Sequence, residues 1–222
     1  ETTSLDSMTA GLVGVSLSVT PGKACYIPLA HRRAEAQASF DLGDGGDDAA
    51  DKTGASGDIN TGGLLTDQIP LNVAIALLKP VLENPSILKI GQNIKYDMQV
   101  LARYGIEISP IDDTMLLSYV LEGGMNRHGM DAMAERMLDY EPIKFKDVTG
   151  AGKSKITFDL VALDKALDYA AEDADITLRL HRTMKPRLVR DHLVTVYETL
   201  ERPLVSILKK WNGPVSGSMP AH

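Results

Sequence analysis

The chain has 222 residues, of which 44% are hydrophobic and 24% charged, with a formal net charge of -7. This composition supports a buried core in one domain, or two small ones, and excludes fibrous and disordered classes. No apolar run approaches the roughly 20 residues that span a bilayer, and the polar N-terminus has no basic-then-apolar signal pattern, so the reading is a soluble, intracellular, cytoplasmic protein without a membrane partner.

The charge is unevenly placed. Between Glu35 and Asp67 there are eight acids and only Lys52 as a base, which leaves 22 acids against 22 bases elsewhere. The acidic total excludes a strongly electrostatic, non-specific DNA binder. A neutral body with a local acidic site still permits a nuclease that grips a strand end through metal ions and a few basic contacts.

Taken along the chain, Glu1 reads on spacing alone as a solvated terminal acid. Gly11 to Thr20 alternates apolar and small polar residues, Pro21-Gly22 marks a turn, and Lys23 to Leu29 resumes an apolar run, which predicts a β-hairpin. Cys25, the single cysteine, excludes an internal disulfide or a zinc cluster, and its apolar neighbours give it a packing role. From about His31 to Gln68 the sequence is Gly-, Asp- and Ala-rich without periodicity, as in a mobile surface insertion. Ala74, Leu77, Leu78 and Val81 then recur at helical spacing up to Asn84-Pro85. Ile87 to Ile90 reads as a short buried strand, followed by a helix that Asn93 can cap and that closes at Gly105. This order predicts an α/β fold. Beyond Asp113 the chain reads as helical, near Thr114 to Leu121, Met130 to Leu138, Leu160 to Met184 and Arg187 to Trp211.

Two carboxylates need explanation. Tyr169 and Asp173 lie one helical turn apart, on a face that continues through Ile176 and Leu180. A carboxylate in such an apolar stripe is costly without a partner, and a metal ion supplies one. Glu172, Asp175 and Arg179 fall on another, solvated side, where Asp175 can pair with Arg179. Asp97 follows the end of a strand, in about the second turn of its helix, where α/β sheets place ligands; a favourable acid near a helix start is the equal alternative. Carboxylates converging from separate elements suit Mg²⁺ or Mn²⁺ and phosphoryl chemistry. The five histidines show no paired ligand spacing and there is no phosphate-binding Gly-rich loop, so neither zinc hydrolysis nor a P-loop nucleotidase is supported.

The segments Gly91 to Asp97 and Tyr169 to Asp175, supported by Asp113 to Tyr119, Arg127 to Asp131 and Phe145 to Lys153, resemble the second and third motifs of the 3′–5′ exonuclease (proofreading) domain of bacterial DNA polymerase I. The likeness covers nearly the whole chain outside the acidic stretch and the last residues. It implies a ribonuclease-H-like mixed sheet flanked by helices, lacking its first central strand. It also implies an exonuclease domain over 1–206 with an insertion at about 31–68, and a tail over 207–222 toward a polymerase domain that this chain does not contain. Glu1 to Asp6 match the first motif from its Glu onward, and the preceding Asp, the ligand shared by two ions, is absent. By resemblance Glu1 and Asp173 hold one divalent ion, Asp97 serves the second, and Tyr169 orients the attacking water. Leu5 and Phe145 match apolar contacts to the terminal bases, and Gln92, Asn93 and Arg127 match polar contacts to a single-stranded DNA 3′ end. From the residues alone, ordinary core packing is the competing reading of Leu5 and Phe145 and the safer one for Phe145, and a solvated loop charge is the commoner reading of Arg127. Two alternatives share these residues: an inert module of the same fold, and an RNA-trimming exonuclease of the same superfamily.

Overall fold

A computed structural model describes residues 1–33 and 63–211. Most of the acidic stretch and the last residues, for which a loop and a tail are expected, lie outside the described residues. Strands β1 (Gly14–Thr20) and β2 (Lys23–Pro28) form the expected hairpin, pairing Gly14 with Pro28 and Leu17 with Cys25. Gly22 turns it at φ 76°, a conformation that suits a residue without Cβ. Alternation along β2 turns Tyr26 into the core, which leaves its neighbour Cys25 exposed and corrects the packing role expected of the thiol.

The second sheet is β3 (Lys89–Gly91) parallel to β4 (Ile111–Asp113), with helix α2 (Ile94–Ala102) in the crossover. Helix α1 (Leu71–Leu82) covers it, burying Ala74, Leu78 and Leu82 against Ile94, Met98, Leu101 and Ile111. Among the described residues no ladder joins the two sheets. The first residues run beside the start of β1: Thr2 bridges Leu12, and the Glu1 carbonyl accepts from Val13 N at 2.9 Å. The result is a mixed α/β fold in which small sheets are flanked by helices, as the sequence implies.

The helices are α3 (Thr114–Glu122), α4 (Met130–Leu138), α5 (Phe145–Thr149) and the long α6 (Leu163–Arg190). Helix α6 packs against both sheets and against α3, α4 and α5. The break expected near Lys185-Pro186 does not occur. Ile176, Leu180, Met184 and Leu188 form one buried stripe across Pro186, and this packing outweighs the lost backbone bond. A π-helical segment, Val196–Glu201, then leads into α7 (Arg202–Trp211), which runs unbroken past position 206.

Both flanks of the unassigned stretch are tied down. Arg32 bridges Leu64, and the Gln68 side chain accepts from His31 N at 2.7 Å and donates to His31 O at 3.0 Å. His31 is itself fully buried, bonded to the Tyr26 hydroxyl at 2.8 Å and to the Val161 carbonyl at 3.2 Å.

Two adjacent carboxylates at the end of β4 organise the helices. Asp113 accepts from Asn93 N and Ile94 N, each at 3.0 Å, and from Met115 N at 2.9 Å, so one side chain caps both α2 and α3. Asn93, expected to cap α2, makes no side-chain cap and takes a left-handed φ of 55°. Its own N–H is a group that needs capping. Asp112, fully buried, meets His181 at 2.8 Å, Lys185 at 3.0 Å, the Tyr197 hydroxyl at 3.1 Å and Arg202 at 3.4 Å. It thereby binds α6, the π segment and α7 to β4.

Asp113→Ala is expected to lower stability by about 2–4 kcal/mol, from two caps at about 1 kcal/mol each and N–H groups left unpaired. Urea denaturation measures this, and a loss under about 0.5 kcal/mol contradicts the double cap. For Asp112, burial alone raises the carboxyl, but hydrogen bonds from His181 and Lys185 and their charges outweigh it and hold it at about 2, below the ordinary 3.8. A depressed carboxyl stabilises above its unfolded value, so this contribution, about 2 kcal/mol, is lost as pH falls from about 4 toward 2. Asp112→Asn should therefore flatten the acid limb of the stability profile; an unchanged limb contradicts the assignment.

Candidate active site

The face predicted on α6 is present. Tyr169 is buried and Ile176 and Leu180 fully so, while Asp173 is partly buried with its Oδ1 enclosed and without a hydrogen-bond partner. Burial, followed by the negative charge of Glu1, pushes the Asp173 carboxyl up to about 8, against the opposing hydrogen bond of Tyr169. Burial and the Asp173 charge also raise the Tyr169 phenol, so it keeps its proton as a donor. The other side of the helix does more than meet water. Asp175 pairs with Arg179 at 3.7 Å and also accepts from Gly22 N at 2.6 Å, fastening the hairpin turn to α6. Glu172 accepts from Ile143 N at 2.7 Å and from the Tyr140 hydroxyl, fastening the loop before α5.

Glu1, which spacing alone gave no role, is held in place by its backbone: its α-amino group donates to Gly14 O at 2.7 Å. Its carboxylate acts on both other acids, raising Asp173 and also Asp97. Asp97 lies in the first turn of α2, not the second, because the helix begins at Ile94. The Asp97 residue as a whole is exposed. Desolvation of its carboxyl by the surrounding protein, opposed by the α-amino group and reinforced by Glu1 and Asp113, raises it to about 6. The preceding Tyr96 anchors the first residues over α2 through its hydroxyl, bonded to Thr2 Oγ1 at 2.5 Å and to Ser4 O.

The three carboxylates come from the chain start, α2 and α6, and share one electrostatic neighbourhood. An enclosed carboxylate oxygen without a protein partner, beside carboxyls raised by desolvation and by Glu1, is a donor set whose chemistry fits a hard cation such as Mg²⁺ or Mn²⁺. Among the described residues, however, no three His, Cys, Asp or Glu side chains converge closely enough to hold an ion by themselves.

The remaining expected residues divide. Leu5 is 94% exposed and Phe145 is 41% exposed. Phe145 stacks on Phe158 with centroids 6.2 Å apart and meets Tyr169 edge-on at 5.8 Å. It thus joins the core by one side and presents the other to solvent. Asn93 and Arg127 are exposed, Arg127 in the loop after α3. The Gln92 amide is already engaged, donating to His128 O at 3.0 Å while its oxygen accepts from Thr114 at 2.5 Å. Sequence reasoning missed Asp112, Asp113 and Tyr96 as supports. An acid directly ahead of the Thr114-Met115-Leu116 helix start was a legible cap signal for Asp113; the ion hub of Asp112 draws on residues up to 90 positions away and was not.

Comparison with known proteins accords with this geometry. The family described as 3′-5′ exonuclease matches residues 1–189. DNA polymerase I of Rhizobium leguminosarum is 48% identical over 219 residues, covering 95% of this chain and 20% of that protein. DNA polymerase I of Pseudomonas aeruginosa is 38% identical over 214 residues, with the same coverage. The chain therefore spans about a fifth of the length of these relatives. In fold it is similar to Brucella melitensis NrnC bound to pGG, with a TM-score of 0.61 at 20% identity, covering 100% of this chain and 87% of that one. The same protein with bound Mg²⁺ gives a TM-score of 0.60 at 19% identity and the same coverage. Among the described residues no helix is long and apolar enough to cross a membrane. The family match and the identity to these polymerases show that this chain belongs to the 3′–5′ exonuclease domain family of DNA polymerase I.

Proposed function

We propose that the chain is the proofreading module of a cytoplasmic DNA polymerase I, hydrolysing the 3′-terminal phosphodiester of single-stranded or frayed DNA with the aid of two divalent ions. The observation that carries this reading is the Tyr169–Asp173 face, with the unpartnered Oδ1 of an Asp173 carboxyl that burial and then the charge of Glu1 raise. Glu1 and Asp173 would hold one ion and Asp97 the other, with oxygens of the DNA phosphate and a first-motif Asp upstream of Glu1 completing the shells. Bound Mg²⁺ or Mn²⁺ would supply an activated water and neutralise charge on the leaving oxygen.

The residues of the chain do the positioning. Tyr169, protonated throughout the neutral range, donates a hydrogen bond that orients the attacking water and does not serve as a base. Phe145 and Leu5 offer apolar surface to the last bases, Asn93 and Arg127 polar contacts to the strand, and Gln92 holds the loop beside them. Stacking of this kind requires unpaired bases, which gives the site its preference for frayed ends. The exonuclease domain covers 1–206, with an acidic insertion at about 31–68, and its partner is the polymerase domain of the same parent polypeptide. The fold likeness to NrnC supports an RNA-trimming reading as the second choice, and the 48% identity to a DNA polymerase I favours DNA.

Asp173→Asn should reduce Mg²⁺-dependent cleavage at least about 100-fold, in a protein extended upstream through the first motif, whereas Asp175→Ala should stay within about threefold. Equal losses in the two variants contradict the division of the α6 faces. Phe145→Ala should raise the KM for single-stranded DNA about tenfold, the size of one lost stacking contact. An unchanged KM makes Phe145 a core residue only.

A further inference from the structure

A cleft of about 270 Å³ opens between the start of α2, helix α3 and helix α7, lined among others by Asn93, Lys95, Met115, Tyr119, His128 and Leu208. Tyr119 is 51% exposed and meets the His128 ring edge-on, with centroids 5.7 Å apart and planes at 77°. This pair is braced before any ligand arrives. His128 Nδ1 bonds Ser118 Oγ at 2.9 Å, and the Gln92 amide holds the His128 carbonyl at 3.0 Å. Asn93 stands one helical turn before Asp97, about 6 Å along the axis of α2, so the cleft begins about one helical turn from Asp97.

We propose, resting on the nuclease reading above, that this cleft is a stacking subsite for a nucleotide upstream of the 3′ end of the same DNA strand. Its base lies on Tyr119 over an apolar floor of Met115 and Leu208, and its phosphate faces Lys95. Two observations select this occupant. The half-exposed tyrosine offers a π-face that any base can use. Lys95 in the cleft lining and Arg127, in the loop next to His128, complement a phosphate backbone. Because Gln92, Ser118 and His128 already fix the platform, little side-chain freedom is lost on binding.

Fluorescence anisotropy with 5′-labelled oligothymidylates of two to eight nucleotides, with Ca²⁺ in place of Mg²⁺, tests the subsite. Tyr119→Ala should weaken binding of strands of four or more nucleotides about tenfold and leave the dinucleotide within about twofold, while Tyr119→Phe restores the long-strand affinity. Lys95→Met should lower the salt slope by about one contact. If Tyr119→Ala binds every length as the unmodified chain does, the subsite is wrong and the nuclease reading stands. Equal weakening of the dinucleotide moves Tyr119 to the strand end and overturns the upstream placement. If the unmodified chain binds no strand of any length, both readings fall.

Discussion

The pair of carboxylates at the end of β4 is the constraint on which the site depends. Asp113 satisfies backbone N–H groups at the starts of two helices, and one of those helices carries Asp97 in its first turn. Asp112, one residue earlier, points the opposite way along the alternating strand and bonds side chains of α6, the π segment and α7. The strand end thus sets both the origin of α2 and the seat of α6, the helix that supplies Tyr169 and Asp173. A buried acid in such a place is stabilising only because every partner is present; removing one side leaves uncompensated charge or unpaired N–H groups.

Two kinds of acid in this molecule differ in what surrounds them. Asp112 is met by Lys185, Arg202, the His181 ring and a phenol, and is held below its ordinary range. Asp97, on an exposed position, and the partly buried Asp173 have desolvated carboxyls beside other acids, and are held above it. Electrostatics of the first kind organise a fold. The second kind marks a candidate functional site, and it occurs on the chain start, α2 and α6.

Local periodicity made the hairpin, α1, the β3–α2 unit and the Tyr169–Asp173 face legible, since each follows from residues a few positions apart. What escaped depended on long-range partners. Pro186 looked like a helix break because propensity is local, whereas the stripe from Ile176 to Leu188 is held by distant packing. Cys25 looked buried because its neighbours are apolar, but the strand alternates. Asn93 looked like a cap because of its type, while the cap comes from 20 residues further on. Glu1 was legible only through its likeness to a motif; spacing within one sequence carried no signal for it. Its bearing on Asp97 and Asp173 emerges once the first residues pair with the start of β1.

The most direct test of the account is the polarity of digestion. A single-stranded DNA oligonucleotide labelled at its 5′ end, incubated in Mg²⁺ with the protein extended upstream through the first motif, should yield a ladder of labelled products shortening one nucleotide at a time from the 3′ end. Internal cuts, release of the labelled 5′ nucleotide first, or intact substrate would contradict the assignment of Glu1, Asp97, Tyr169 and Asp173 as a 3′–5′ exonuclease site.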